Sequence, residues 1–170
     1  MIQRVGKSTL RFSEGPCVES YASVVGKKEM EGPLGGWFDQ CHQDTTLGEE
    51  TWEKAESRMQ KEAVQLALHK GGLQKEEIDC IFAGDLLNQC ISSTFGLREL
   101  DIPFLGQYGA CSTMAQTLAM AGVFVESGAA RRAAAVTSSH FCSAERQFRL
   151  PLEYGGQRTP TAQWTATASG

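Results

Sequence analysis

The chain has no window approaching the roughly 18 consecutive apolar residues of a membrane-crossing helix. Its opening, Met1-Ile2-Gln3-Arg4-Val5-Gly6-Lys7, carries charges without an apolar run behind them, so no secretory signal is read there. No two of the six cysteines, Cys17, Cys41, Cys80, Cys90, Cys111 and Cys142, have the CxxC spacing of a zinc knuckle or redox pair. A Gly-rich phosphate fingerprint, an internal repeat and a low-complexity tract are all missing. A large excess of either charge is missing too. The net charge is −4 and the basic residues are scattered, so no nucleic-acid surface is implied.

What remains is the composition of an ordinary globular protein, with 41% apolar and 21% charged residues over 170 positions, enough for one domain with a core. Ser20 to Val25 reads as a strand, and Gly32 to Asp39 as a Gly/Pro loop. Trp52, Ala55, Met59, Ala63, Leu66 and Ala67 recur at helical spacing. Glu49 and Glu50 load the start of that helix and Gly71-Gly72 stop it. Ile78 to Ala83, Pro103 to Tyr108 and Ala133 to Thr137 are short apolar runs of strand length. Ser92 to Leu100 reads as a short helix. Ser112 to Ser127 is apolar nearly all round, which predicts a central, enclosed helix. Thr161 to Thr167 alternates toward a fourth strand. Strands and helices that alternate in this way predict an α/β fold with a parallel or mixed sheet and helices on both faces. The ending Ala166-Thr167-Ala168-Ser169-Gly170 reads as an interrupted strand, so a truncated chain is expected.

The most informative stretch is Phe104 to Met114, where an apolar strand meets a small-residue bend, Gly109-Ala110, and Cys111 opens the Ala-rich helix. Ligands of parallel α/β sheets bind beyond the C-terminal strand ends. A thiol at a helix start meets unpaired N–H groups that favour its anion. Cys111 is therefore a candidate nucleophile or pocket residue, against a plain buried cysteine in a tight turn. Most of the other cysteines read as reduced, buried small hydrophobes.

A thiolate nucleophile needs a base or cation beside it. His69 closes an amphipathic helix and suits solvent; His42 lies in a polar loop without a clear partner. His140 follows the run 133–137 and is placed at the same sheet edge as Cys111, in a catalytic or a structural role. Asp85, just after the run 78–83, is placed there too, either orienting a ligand or capping a turn. Phe141, Glu145, Arg146, Phe148, Arg149, Tyr154 and Arg158 interleave cations and rings. Such a set suits a flat anionic ligand, against the more ordinary reading of a solvated loop whose aromatics cover the core or a subunit contact.

These features together resemble the first half of the thiolase superfamily fold. Ile78-Asp79-Cys80-Ile81-Phe82-Ala83-Gly84 is similar to a strand of the β-ketoacyl synthase III enzymes, and Gly109-Ala110-Cys111-Ser112-Thr113 falls where those enzymes carry their acyl-accepting cysteine. Val125 to Val136 resembles their passage from helix to strand. The runs Glu31-Gly32-Pro33-Leu34-Gly35, Thr51-Trp52-Glu53-Lys54-Ala55-Glu56-Ser57 and Glu153 to Trp164 are similar to a sporulation branch of the superfamily, the stage V sporulation AD family. The resemblance implies the N-terminal half of a layered αβαβα fold with a mixed, mostly parallel sheet, the other half and its catalytic histidine and asparagine lying elsewhere. It also implies a dipicolinic acid-binding protein that acts in uptake of that acid into the developing spore and its release at germination. Catalysis is not assured, and an acyltransferase with Cys111 as nucleophile is the alternative. The candidate ligand set, read from the residues above and fitting that acid, is Cys111, Asp85, His140, Arg146, Arg149 and Arg158. No metal or cofactor is expected, calcium entering only as the dipicolinate chelate. Expected partners are the other stage V A operon proteins at the inner spore membrane and a second copy of the chain. Attachment to that membrane would be peripheral.

Overall fold

The computed structural model describes residues 2–87, 90–148, 161 and 164–170. Its centre is a six-stranded sheet built from β3 (Val24–Gly26), β4 (Gln40–His42), β5 (Cys80–Asp85), β6 (Phe104–Gly106), β7 (Ala133–Ser139) and β8 (Ala168–Ser169). The spatial order is β4-β3-β8-β7-β5-β6, with β8 antiparallel to both neighbours and the other pairs parallel. A separate hairpin joins β1 (Gln3–Val5) to β2 (Thr9–Arg11). The helices are α1 (Lys27–Met30), α2 (Trp52–Gly71), α3 (Ile91–Leu97), α4 (Thr113–Ser127) and α5 (Phe141–Phe148).

β5 shows why the sheet has two apolar faces. Its six residues are all buried, and alternate side chains point to opposite sides. Ile81 and Ala83 pack with Val64, Leu97, Leu100 and Val136, beneath α2 and α3. Cys80 and Phe82 pack with Ala121 and Ala130 on the α4 side, where the Phe82 and Phe124 rings meet edge to face at 4.8 Å.

α2 begins where Thr51 accepts a hydrogen bond from Lys54 N through its hydroxyl, at 3.3 Å. It ends at Gly72, whose φ of 64° is left-handed, with Leu73 N donating back to Leu68 O at 2.9 Å. The buried stripe includes Ala55, Met59, Ala63 and Val64, as the spacing predicts, but also Glu56 and Gln60.

Several expectations are corrected. α4 is not enclosed: Thr113, Thr117 and Ala121 are buried, while Met114 and Leu118 on the opposite side are 60% and 52% exposed. The strand read at Ser20 to Val25 forms only at Val24–Gly26; of the strand read at Thr161 to Thr167, residues 162 and 163 lie outside the described residues, Trp164 to Thr167 form no strand, and pairing is seen at Ala168–Ser169. Cys17 is exposed rather than buried; Cys41 and Cys142 are half-buried. The segment 141–148, read as a loop of rings and cations, is helix α5 in the structure. Its helical stripe is short, and the interleaved aromatics concealed it.

Candidate functional site at the sheet crest

The C-terminal ends of β5, β6 and β7 form one crest, because the three strands are parallel and in register. Gln107 N extends the β6 ladder by donating to Ala83 O at 2.8 Å. The chain then bends through Gly109 into a tight turn, Ala110–Ser112, and so into α4. Gly84 lets this bend lie close to the sheet: a Cβ there would collide with the Gln107 carbonyl and the Thr113 methyl. Three further contacts fix the bend. Gly109 N donates to Thr113 Oγ1 (3.1 Å), Ser112 Oγ donates to Gly109 O (2.7 Å), and the buried Cys90 thiol donates to Gln107 O (3.1 Å). Ala110, with φ of 47°, carries the turn in the left-handed region that non-glycine residues seldom occupy. Cys111 follows it, reduced and exposed to solvent.

Asp85 and His140 lie at the same crest but are turned inward, and both are fully buried. Asp85 Oδ1 accepts from Leu87 N (2.9 Å); Oδ2 accepts from Ser93 N (2.8 Å) and Ser93 Oγ (2.5 Å). The carboxylate thereby holds the loop from β5 to α3. His140 Nε2 lies 2.7 Å from Thr45 O, and Nδ1 accepts from Cys142 N at 3.2 Å. Burial pushes the imidazole below its ordinary range, against the pull of the Thr45 carbonyl and the Glu29 charge. His140 is thus a neutral imidazole with both nitrogens engaged. His42 has the partner that its loop position did not suggest: Nε2 is 2.5 Å from Glu62 Oε2, with Gln40 beside it. His69 is exposed at the end of α2, as its position predicts.

Arg146 on α5 pairs with Glu53 of α2 and lies 5.5 Å over the Trp52 ring, so it ties two helices together. Arg149 and Arg158 lie outside the described residues, as does Tyr154.

Two groups were not assembled from the sequence, although Phe141 was singled out there. Phe141, just past β7, stacks on Trp164 with ring centroids 3.9 Å apart and planes within 5°. Lys28 of α1 places its Nζ 5.0 Å from the Trp164 ring centre. These residues are far apart in sequence, so no local pattern announces the platform. The second group lies beneath the crest. Glu56 and Gln60, one turn apart on α2, reach under the sheet to Ser138, Ser143, Ser93 and Gly84. An acid on a buried helical stripe breaks the apolar pattern, and that break is the signal that could have revealed it.

An apolar cleft lies elsewhere. About 510 Å³ opens beside Ala133 to Val136 of β7, bounded by Tyr21, Ala22, Leu68, Leu118, Ala121 and Gly170. β8 pairs with β7 only near Ser138 and Ser139, which leaves room beside the first half of that strand. Cys111, Asp85 and His140 do not line it.

With this geometry in view, similarity to known proteins assigns the family. The profile of Stage V sporulation protein AD matches residues 6–170. The chain belongs to that family. It is 47% identical over 165 residues to Stage V sporulation protein AD of Bacillus subtilis (strain 168), covering 97% of this chain and 49% of that protein. The chain therefore spans about half the length of that curated relative. The fold is the thiolase-like one of the β-ketoacyl synthases. It resembles 3-oxoacyl-[acyl-carrier-protein] synthase III from Aquifex aeolicus VF5 with a TM-score of 0.54, at 20% identity over 71% of this chain and 37% of that one. A variant of OleA from Xanthomonas campestris gives 0.57 at 14% identity, over 89% and 53% of the two chains. Such identities establish the architecture alone. The Stage V sporulation protein AD family thus supplies a sporulation protein on a synthase scaffold.

Proposed function

We propose that the chain is part of a dipicolinate-binding protein acting in uptake of dipicolinic acid into the developing spore and in its release at germination. Dipicolinate is a planar ring with two carboxylates, so its receptor needs a flat apolar face and cations at the rim. The observation that carries the reading is the stacked Phe141–Trp164 pair with Lys28 over it, just beyond the end of β7. Family membership agrees with it. The Cys111 bend supplies a second, open edge of the crest.

The exposed thiol also favours a second reading, acyl transfer with Cys111 as the nucleophile. Against it, both nitrogens of His140 are engaged away from the thiol, and Asp85 is committed to its loop. Calorimetric titration of the full-length protein with dipicolinate separates the two. Saturable, reversible binding, weakened about tenfold or more by Trp164→Ala or Lys28→Ala, supports the receptor. A stable acyl adduct at Cys111 on incubation with acyl-CoA, seen by intact mass, supports the enzyme.

No described helix is long and apolar enough to cross a membrane. The proposal also includes peripheral attachment to the inner spore membrane through the other stage V A operon proteins, and a homodimer. High-salt or alkaline washing of spore membranes should release the protein; retention through both treatments contradicts peripheral attachment.

A further inference from the structure

Two carboxyl groups, Glu56 and Asp85, lie fully buried under the crest. Among the described residues no lysine, arginine or histidine side chain pairs with either. The Arg146–Glu53 ion pair joins α5 to α2 one turn nearer the helix start, and the His140 ring is turned to Thr45 and Cys142. Asp85 is well supplied, with three donors on its two oxygens. Glu56 Oε1 accepts from Ser138 Oγ at 2.9 Å. Its other oxygen shares a donor with a backbone carbonyl. Ser143 Oγ stands 3.0 Å from Glu56 Oε2 and 3.0 Å from His140 O, with both oxygens acceptors while Glu56 is ionised. A hydroxyl has one hydrogen and cannot fully serve both. Gln60 spends its amide hydrogens on Gly84 O, Ser93 Oγ and Ser138 Oγ, and its buried Oε1 has no donor. The His140 carbonyl also has a backbone donor, Ala144 N at 3.0 Å, so what the cluster lacks among the described residues is a cation for its two carboxyl groups and a donor for Gln60 Oε1.

We propose that Glu56 is held as a neutral carboxylic acid whose Oε2–H donates to Ser143 Oγ, leaving the Ser143 hydrogen for the His140 carbonyl, and that this proton keeps α5 seated on α2. With that proton Ser143 keeps its bond to the His140 carbonyl, beside the one from Ala144 N, while still accepting from Glu56. The proton also removes one of two buried negative charges that lack a counter-cation. Burial first, and the Asp85 charge second, push the Glu56 carboxyl up to about 7, against hydrogen bonds from Ser138, Ser143 and Ser92. The proton is thus lost as the surroundings turn alkaline. Ser143 must then turn its hydrogen to Glu56, and a second anion appears beside Asp85 at the root of α5. The Glu56 proton makes the docking of α5, and with it the crest beside Phe141, sensitive to pH. This holds whatever ligand the crest takes.

The test is infrared spectroscopy of the protein between about pH 6 and about pH 9, combined with amide exchange over residues 141–148. The carbonyl band of one protonated, buried carboxyl should be present at the acid end, fade on titration, and be missing from Glu56→Gln. Exchange in α5, corrected for its intrinsic pH dependence, should rise about tenfold over the same range in the wild type and stay flat in Glu56→Gln. Ser143→Ala leaves both carboxyls in place and should shift the band, so the assignment is tested even if Glu56→Gln does not fold. The proposal is overturned by a spectrum with no such band at the acid end, by its persistence in Glu56→Gln, or by a band that Ser143→Ala leaves unmoved.

Discussion

Two buried residues give this protein opposed responses to pH. Glu56 has its carboxyl raised from 4.5 to about 7, so the folded chain binds the proton more tightly than the unfolded one. Its contribution is complete below about pH 4.5 and is lost as pH rises to about 7, at a cost on the order of 3 kcal/mol. His140 works the other way. Its imidazole is lowered from 6.5, so its stabilisation is present above that value and is lost as pH falls toward the lower folded-state pKa. Urea unfolding as a function of pH should show Glu56→Gln close to the wild type near pH 4 and more stable by about 3 kcal/mol near pH 8. Parallel curves for the two proteins would contradict this. At Gly84 the demand is steric. Gly84→Ala should cost about 3 kcal/mol or more, because the Gln107 carbonyl and Thr113 must both move; a change below about 0.5 kcal/mol would mean that the bend is loose. The positions of Asp85 and His140 on the crest were legible from their following short apolar runs. Their inward turn was not, because it depends on Ser93 and Thr45, donor and acceptor residues that sequence proximity does not single out.

Among the elements, α2 is the most legible and its crossing with α3 the least. The 3.6-residue recurrence from Trp52 to Ala67, the Thr51 cap and the Gly72 stop define the helix in sequence. Nothing local indicates that Gly96 of α3 lies against the backbone of Ser57, where a Cβ would collide. Gly96→Ala should therefore lower stability by about 2 kcal/mol or more and leave the far-UV spectrum native; an unchanged urea midpoint would refute the close crossing. α4 shows the opposite failure. Its composition reads as enclosed, yet one face, with Met114 and Leu118, is bare. Composition records that a surface is apolar and leaves open what covers it. α5 was hidden because its eight residues span little more than two turns.

For the molecule as a whole, alternation of strands and helices was enough to give a mixed α/β sheet, and the Gly109-Ala110-Cys111 bend was enough to locate the crest. The antiparallel insertion of β8 between β3 and β7 was not readable, since two paired residues carry it. The Phe141–Trp164–Lys28 platform was not readable either, since it joins three distant segments. The proposed function makes one claim at this scale, that dipicolinate binds at the crest bearing Cys111 and the platform. The direct measurement is the rate at which an alkylating reagent labels Cys111 in the full-length protein, with and without saturating dipicolinate. The expected result is labelling slowed about tenfold or more by the ligand, with protection lost in Trp164→Ala. An unchanged labelling rate at ligand concentrations that saturate binding would contradict it.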